Sequence, residues 1–160
     1  IIGLDHFAAV VAVGCLAATQ RAAPIFVIGF IAAMIAGVAL HLHGATIPAA
    51  EALVAVTVIA LGALLIGHRQ MPTGTVLTLF ALVGLVHGYA FGESIYGAEP
   101  TPIYAYLLGL AVVQGAVALA VMKIARSLAE GPAALSLRLV GAGIAGVGLA
   151  VLVQQVVPAA

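Results

Sequence analysis

Asp5 and His6 stand side by side in a run that is otherwise apolar, and His87 and Glu93 stand six residues apart in another. Glu51 opens a third apolar run, three residues after Pro48. Carboxylate with imidazole is a ligand set suited to divalent first-row transition metals, and imidazole argues against magnesium and calcium, which prefer oxygen. Imidazole ligates when neutral and carboxylate when ionised, so such a site loses or redistributes protons as it binds. An ionisable group near a bilayer centre costs about 2.5–3.5 kcal/mol even on insertion scales, and it is usually kept for function.

Each candidate has a plainer reading. Asp5 could cap a helix at the interface, and Glu51 could be a first-turn acid favoured by the helix dipole. His6 gains weight as a ligand from its neighbour Asp5. His87 is the deepest, with no charge near it in its own run. His41 and His43 read as interfacial residues, and His68 beside Arg69 as a cytoplasmic boundary residue. Met34 and Cys15 are soft donors whose default role is packing. His87 and Glu93 are about 240° apart around a regular helix. Gly88 and Gly92 between them therefore suggest a kink or an unwound turn, as at many transporter sites.

The elements that must hold these groups follow from composition. Of 160 residues, 65% are hydrophobic and 6% charged, with a mean hydropathy of +1.32. A soluble domain needs more polar surface, so the solvent must be a bilayer. A span takes roughly 20 apolar residues, which leaves room for about six. No alternating barrel pattern is present, so the expected fold is all-α, a compact polytopic bundle in one transmembrane domain covering 1–160. The apolar runs predict spans at 4–20, 24–43, 50–68, 74–94, 103–123 and 138–157. Small residues four apart, such as Gly29, Ala33 and Gly37, predict close helix contacts.

The five cations set the orientation. Arg21, Arg69, Lys123, Arg126 and Arg138 all fall in or beside odd-numbered loops, a side that the positive-inside rule makes cytoplasmic. Both termini then face outward, which fits a cleaved signal peptide. Asp5, His6, Glu51, His87 and Glu93 all come to the outer half of the bundle. His87 lies roughly 20 Å above the inner end of its helix.

The sequence resembles the HupE/UreJ family of nickel/cobalt permeases. Gly3-Leu4-Asp5-His6, followed by Ala12-Val13-Gly14, is similar to the family's first helix, whose leading histidine would fall two positions before Ile1. His87-Gly88-Tyr89-Ala90-Phe91-Gly92-Glu93 resembles its His-Gly-x-Ala-x-x-Glu signature. Pro48 with Glu51 resembles the Pro-x-x-Glu entering its third helix. Phe91 stands where a small residue or another histidine is expected, and Val86 where a phenylalanine is common. The resemblance implies a secondary transporter importing Ni²⁺ or Co²⁺ across the bacterial cytoplasmic membrane. Its metal site would be Asp5, His6, Glu51, His87 and Glu93.

The alternative is a metal-binding membrane subunit that requires a separate ATPase or partner protein. No His-Glu-x-x-His and no Gly-x-Ser-x-Gly is present, so an intramembrane enzyme is not expected. A proton channel through the same carboxylates is a weaker reading. No permanent cofactor is expected, the metal being cargo. The expected partners are the lipid bilayer and the divalent ion. Balanced charge gives no face for nucleic acid, and a homo-oligomer stays open.

Overall fold

The computed structural model describes residues 3–20, 23–67, 71–128 and 134–157. These residues form six α-helices: α1 Leu4–Ala18, α2 Ala23–Leu42, α3 Ala50–Gly67, α4 Thr73–Glu93, α5 Pro100–Leu128 and α6 Ala134–Val156. The described residues contain no strand. Helices α2 to α6 are each long and apolar enough to cross a membrane, and the chain is a multi-pass, all-α membrane protein. Leu82, Tyr104, Leu108 and Leu139 point outward, each more than half exposed, as lipid-facing side chains should.

Helix α1 is the exception in length and in burial. Its 15 residues rise only about 22 Å, short of a hydrocarbon core of about 30 Å. Ala8, Ala9, Val10, Ala12 and Val13 are nevertheless all buried, because α1 runs through the middle of the bundle against α2, α3, α5 and α6.

The other bounds follow the expected spans with two differences. Helix α5 is longer, Pro100–Leu128 against 103–123, and α6 starts at Ala134 rather than 138. Pro100 and Pro102 lie in the first turn of α5, where a missing donor costs nothing. At its other end the guanidinium of Arg126 donates to the Gln20 carbonyl at 3.0 Å. That bond gives α5 a reason to continue past the apolar stretch. It also covers a carbonyl beyond the end of α1, where a cation is favoured.

The packing pairs are α2 with α4, α3 with α6 and α1 with α5. Glycine lets each pair close onto backbone. A Cβ at Gly88 would collide with the Met34 carbonyl, and one at Gly37 with the Leu85 carbonyl. The same holds for Gly62 against the Gly141 carbonyl (2.6 Å) and Gly14 against the Ala118 carbonyl (2.7 Å). The small residues therefore serve close approach, as the spacing predicts. The expected break in α4 does not occur: the helix is continuous from Thr73 to Glu93. Gly88 and Gly92 are spent on contact with α2, not on unwinding.

Among the described residues charge is segregated along the bundle, with Glu130 lying outside them. Asp5, Glu51, Glu93 and Glu99 all belong to one end, where α1, α3 and α5 begin and α4 stops. Every described lysine and arginine, namely Lys123, Arg126 and Arg138, belongs to the other. Arg21, His68 and Arg69 lie outside the described residues.

Candidate functional site

The first turn of α1 builds the site. Asp5 and His6 occupy its first turn, beside the C-terminal third of α4, the first turn of α3 and the last turns of α6. The Asp5 carboxylate folds back on its own helix: Oδ1 accepts from the His6 backbone N–H at 2.8 Å and lies 3.0 Å from His6 Nδ1. The backbone bond satisfies one of the free donors of a helix start. The ring contact does more. A proton on Nδ1, shared with the carboxylate, leaves Nε2 as the lone-pair nitrogen, the arrangement commonly found behind metal-bound histidine. His6 Nε2 is buried and has no hydrogen-bond partner.

His87 lies behind His6. The two rings meet edge to face with centroids 4.8 Å apart, and His87 is 1% exposed. Its Nε2 is 2.9 Å from Thr57 Oγ1 on α3, while the Thr57 hydroxyl donates to the Val54 carbonyl at 2.7 Å. A hydroxyl has one hydrogen. With that hydrogen on the backbone carbonyl, His87 Nε2–H is the donor to Thr57 Oγ1 and His87 Nδ1 carries the lone pair. The neighbouring imidazoles thus keep their lone pairs on opposite kinds of nitrogen, each set by a different helix.

In front of this pair lies a cavity of about 810 Å³ lined by Asp5, His6, Glu51, Glu93, Gln154 and Gln155. Gly143 and Gly146 of α6 also line it, and a Cβ at either would meet nothing within 4 Å. These two glycines leave room, whereas Gly141 and Gly148 pack on α3. Glu51 is exposed and accepts from Gln155 Nε2 at 2.9 Å. Glu93 is exposed at the end of α4, six residues and about 9 Å above His87. A second lobe of about 580 Å³ opens on the α5 side of the same Asp5, His6 and Glu51, and adds Phe91, Ser94, Tyr106 and Gln114.

All five expected residues therefore reach one end of one bundle, in two tiers. Asp5 and His6, both partly buried, form a contact chain with the buried His87. Glu51 and Glu93 form an acidic mouth above it. Among the described residues no three His, Cys, Asp or Glu side chains cluster closely enough to hold one ion together. Phe91 fills part of the space, its ring 4.2 Å from that of His6. The arrangement can draw a cation toward negative charge and offer it carboxylate and imidazole in succession.

His41 is partly buried rather than free at the surface, packed edge-on against Tyr89 and Tyr96 at 4.6 and 5.5 Å. His43 is exposed and its Nδ1 lies 2.7 Å from the Ala39 carbonyl, an end-of-helix role. Met34 and Cys15 are buried core residues. Three neutral residues escape a reading based on charge: Thr57, Gln114 and Gln155. Gln114 carried a usable signal, an amide in the middle of an apolar span. Thr57 carried none, since threonine inside a helix commonly satisfies itself on the preceding turn.

Comparison with known proteins agrees with this layout. The family described as HupE / UreJ protein matches residues 1–151. The chain is also 33% identical over 92 residues to Protein HupE of Rhizobium leguminosarum bv. viciae. That alignment covers 56% of this chain and 48% of the relative, so the chain spans about half the length of the curated protein it matches. No solved structure matches.

Proposed function

The chain belongs to the HupE/UreJ family, and on that premise we propose that it imports a divalent transition metal, Ni²⁺ or Co²⁺, across the bacterial cytoplasmic membrane. The observation that carries the reading is the contact chain Asp5–His6–His87 at the base of an acid-rimmed cavity. Glu51 and Glu93 concentrate the hydrated ion at the mouth. Asp5 and His6 take it next, His6 through Nε2, and His87 receives it through Nδ1. The mouth faces outward, because the described cations sit at the opposite end and positive loops stay cytoplasmic.

The membrane potential suffices as a driving force. A divalent cation entering a cell held inside-negative by 100 mV gains about 4.6 kcal/mol, twice the single-charge value. Raw affinity of an N/O site follows the Irving–Williams order, so preference among metals rests on geometry and supply.

The test is metal uptake by a host grown in scarce nickel and expressing the wild type, Asp5→Ala or His87→Ala. Loss of uptake in both variants at unchanged membrane abundance is expected. Full uptake in either removes that residue from the path.

A further inference from the structure

The lobe on the α5 side of Asp5 and His6 ends on a buried amide that the path above does not use. Gln114 is the midpoint of α5, fourteen residues from both Pro100 and Leu128. It is 2% exposed, and its amide nitrogen is buried without a hydrogen-bond partner; a half-turn of the amide puts the oxygen, an acceptor and metal ligand, in that place. A polar group in that condition is rare in a folded core and calls for an explanation. His6 Nε2 is a second unpartnered atom, and its residue lines the same lobe.

The depth of Gln114 follows from the helices. Ser94, just past α4, hydrogen-bonds Tyr106 of α5 through their hydroxyls at 3.3 Å, and both line the lobe. Seven residues down α4 from Ser94 lies His87, a fall of about 10 Å. Eight residues down α5 from Tyr106 lies Gln114, a fall of about 12 Å. The amide therefore stands level with the deepest imidazole of the site, on the far side of His6.

We propose that Gln114 is the inner station of the ion path, where its amide oxygen replaces a water of the divalent cation as the ion moves inward from Asp5 and His6. The chemistry of an amide suits that position. Its oxygen is a metal ligand without charge, so it adds no negative charge to that of the Asp5 and Glu51 carboxylates lining the lobe, and the ion remains able to move on under the membrane potential. A pathway needs binding strong enough to admit an ion and weak enough to release it. A carboxylate at the same place would trap it.

The inference rests on the transport reading, and the experiment separates the two. Purified protein is measured for Ni²⁺ affinity in detergent and for Ni²⁺ uptake rate in liposomes, as wild type, Gln114→Leu, Gln114→Glu and Asp5→Ala. Gln114→Leu is expected to transport at least fivefold more slowly with affinity within threefold of wild type. Gln114→Glu is expected to bind at least tenfold tighter and also to transport at least fivefold more slowly. Wild-type rate in Gln114→Leu, or unchanged affinity in Gln114→Glu, overturns the station while a loss in Asp5→Ala leaves the transport path standing. Wild-type uptake in Asp5→Ala overturns the path and the station together. Should Gln114→Leu not yield a monodisperse protein, Gln114→Ala, which also removes the amide oxygen, is read by the same criteria.

Discussion

Thr57 Oγ1 lies 2.9 Å from His87 Nε2 and 2.7 Å from the Val54 carbonyl, so a hydroxyl hydrogen given to the backbone leaves Thr57 as the acceptor for His87 Nε2–H. In that arrangement one threonine on α3 sets which nitrogen of a histidine on α4 keeps its lone pair. The decision is made in the bundle interior, where His87 has almost no contact with solvent.

Thr57→Val keeps the shape of the side chain and removes the acceptor. The stranded Nε2–H then costs about 1–3 kcal/mol, visible as a lower melting temperature in detergent. Nickel uptake should fall as well, because the other tautomer puts the lone pair on the wrong nitrogen. Thr57→Ser restores both. Equal stability and uptake in Thr57→Val would show that the hydrogen bond has no role.

The glycine contacts give a sharper stability contrast. Gly88→Ala places a methyl against the Met34 carbonyl, so α2 and α4 must separate. A loss of about 1–3 kcal/mol or more follows from overpacking. Gly115→Ala meets nothing within 4 Å and should be neutral or slightly stabilising through helix propensity. Paired thermal melts measure both, and similar melting temperatures would contradict the tight α2–α4 seam.

Tyr89 ties the α2–α3 connection to α4. Its hydroxyl accepts from the Ile47 N–H and donates to the Ala45 carbonyl, both at 2.9 Å. Tyr89→Phe removes both bonds and is expected to cost about 1–3 kcal/mol. Hydrogen exchange at Ile47 should accelerate, since its amide has then lost its acceptor. Unchanged protection at Ile47 would mean that the loop holds itself.

Phe91 packs over His6 where a small residue or a histidine is expected in the family. Phe91→His adds an imidazole beside the Asp5–His6 pair. Ni²⁺ affinity should rise by about tenfold, or about 1.4 kcal/mol, read by titration calorimetry. An unchanged or weaker affinity would mean that an added ligand there cannot reach the ion.

Much of the fold is legible in the sequence for simple reasons. Lipid leaves the backbone no option but helices, so apolar runs broken by Pro48, Pro72 and Pro100 delimit α3, α4 and α5 closely. Alternation of direction then brings Asp5, Glu51, His87 and Glu93 to one end without any knowledge of packing. Three features depend on contacts that no single span reveals. Helix α1 reads as an ordinary span, but its burial against four other helices makes it central. The glycines of α4 read equally as kink or as packing until α2 is seen against them. Thr57 and Gln114 gain meaning only from neighbours 30 residues away in sequence or across a cavity.

The most direct trial of the metal path uses the purified chain alone, in liposomes carrying an inside-negative potassium diffusion potential and presented with radioactive nickel. Wild-type protein should accumulate Ni²⁺ well above the external concentration, with Asp5→Asn and His87→Ala held near the level of empty vesicles. Accumulation by those two variants equal to wild type, or none by the wild type itself, would contradict it.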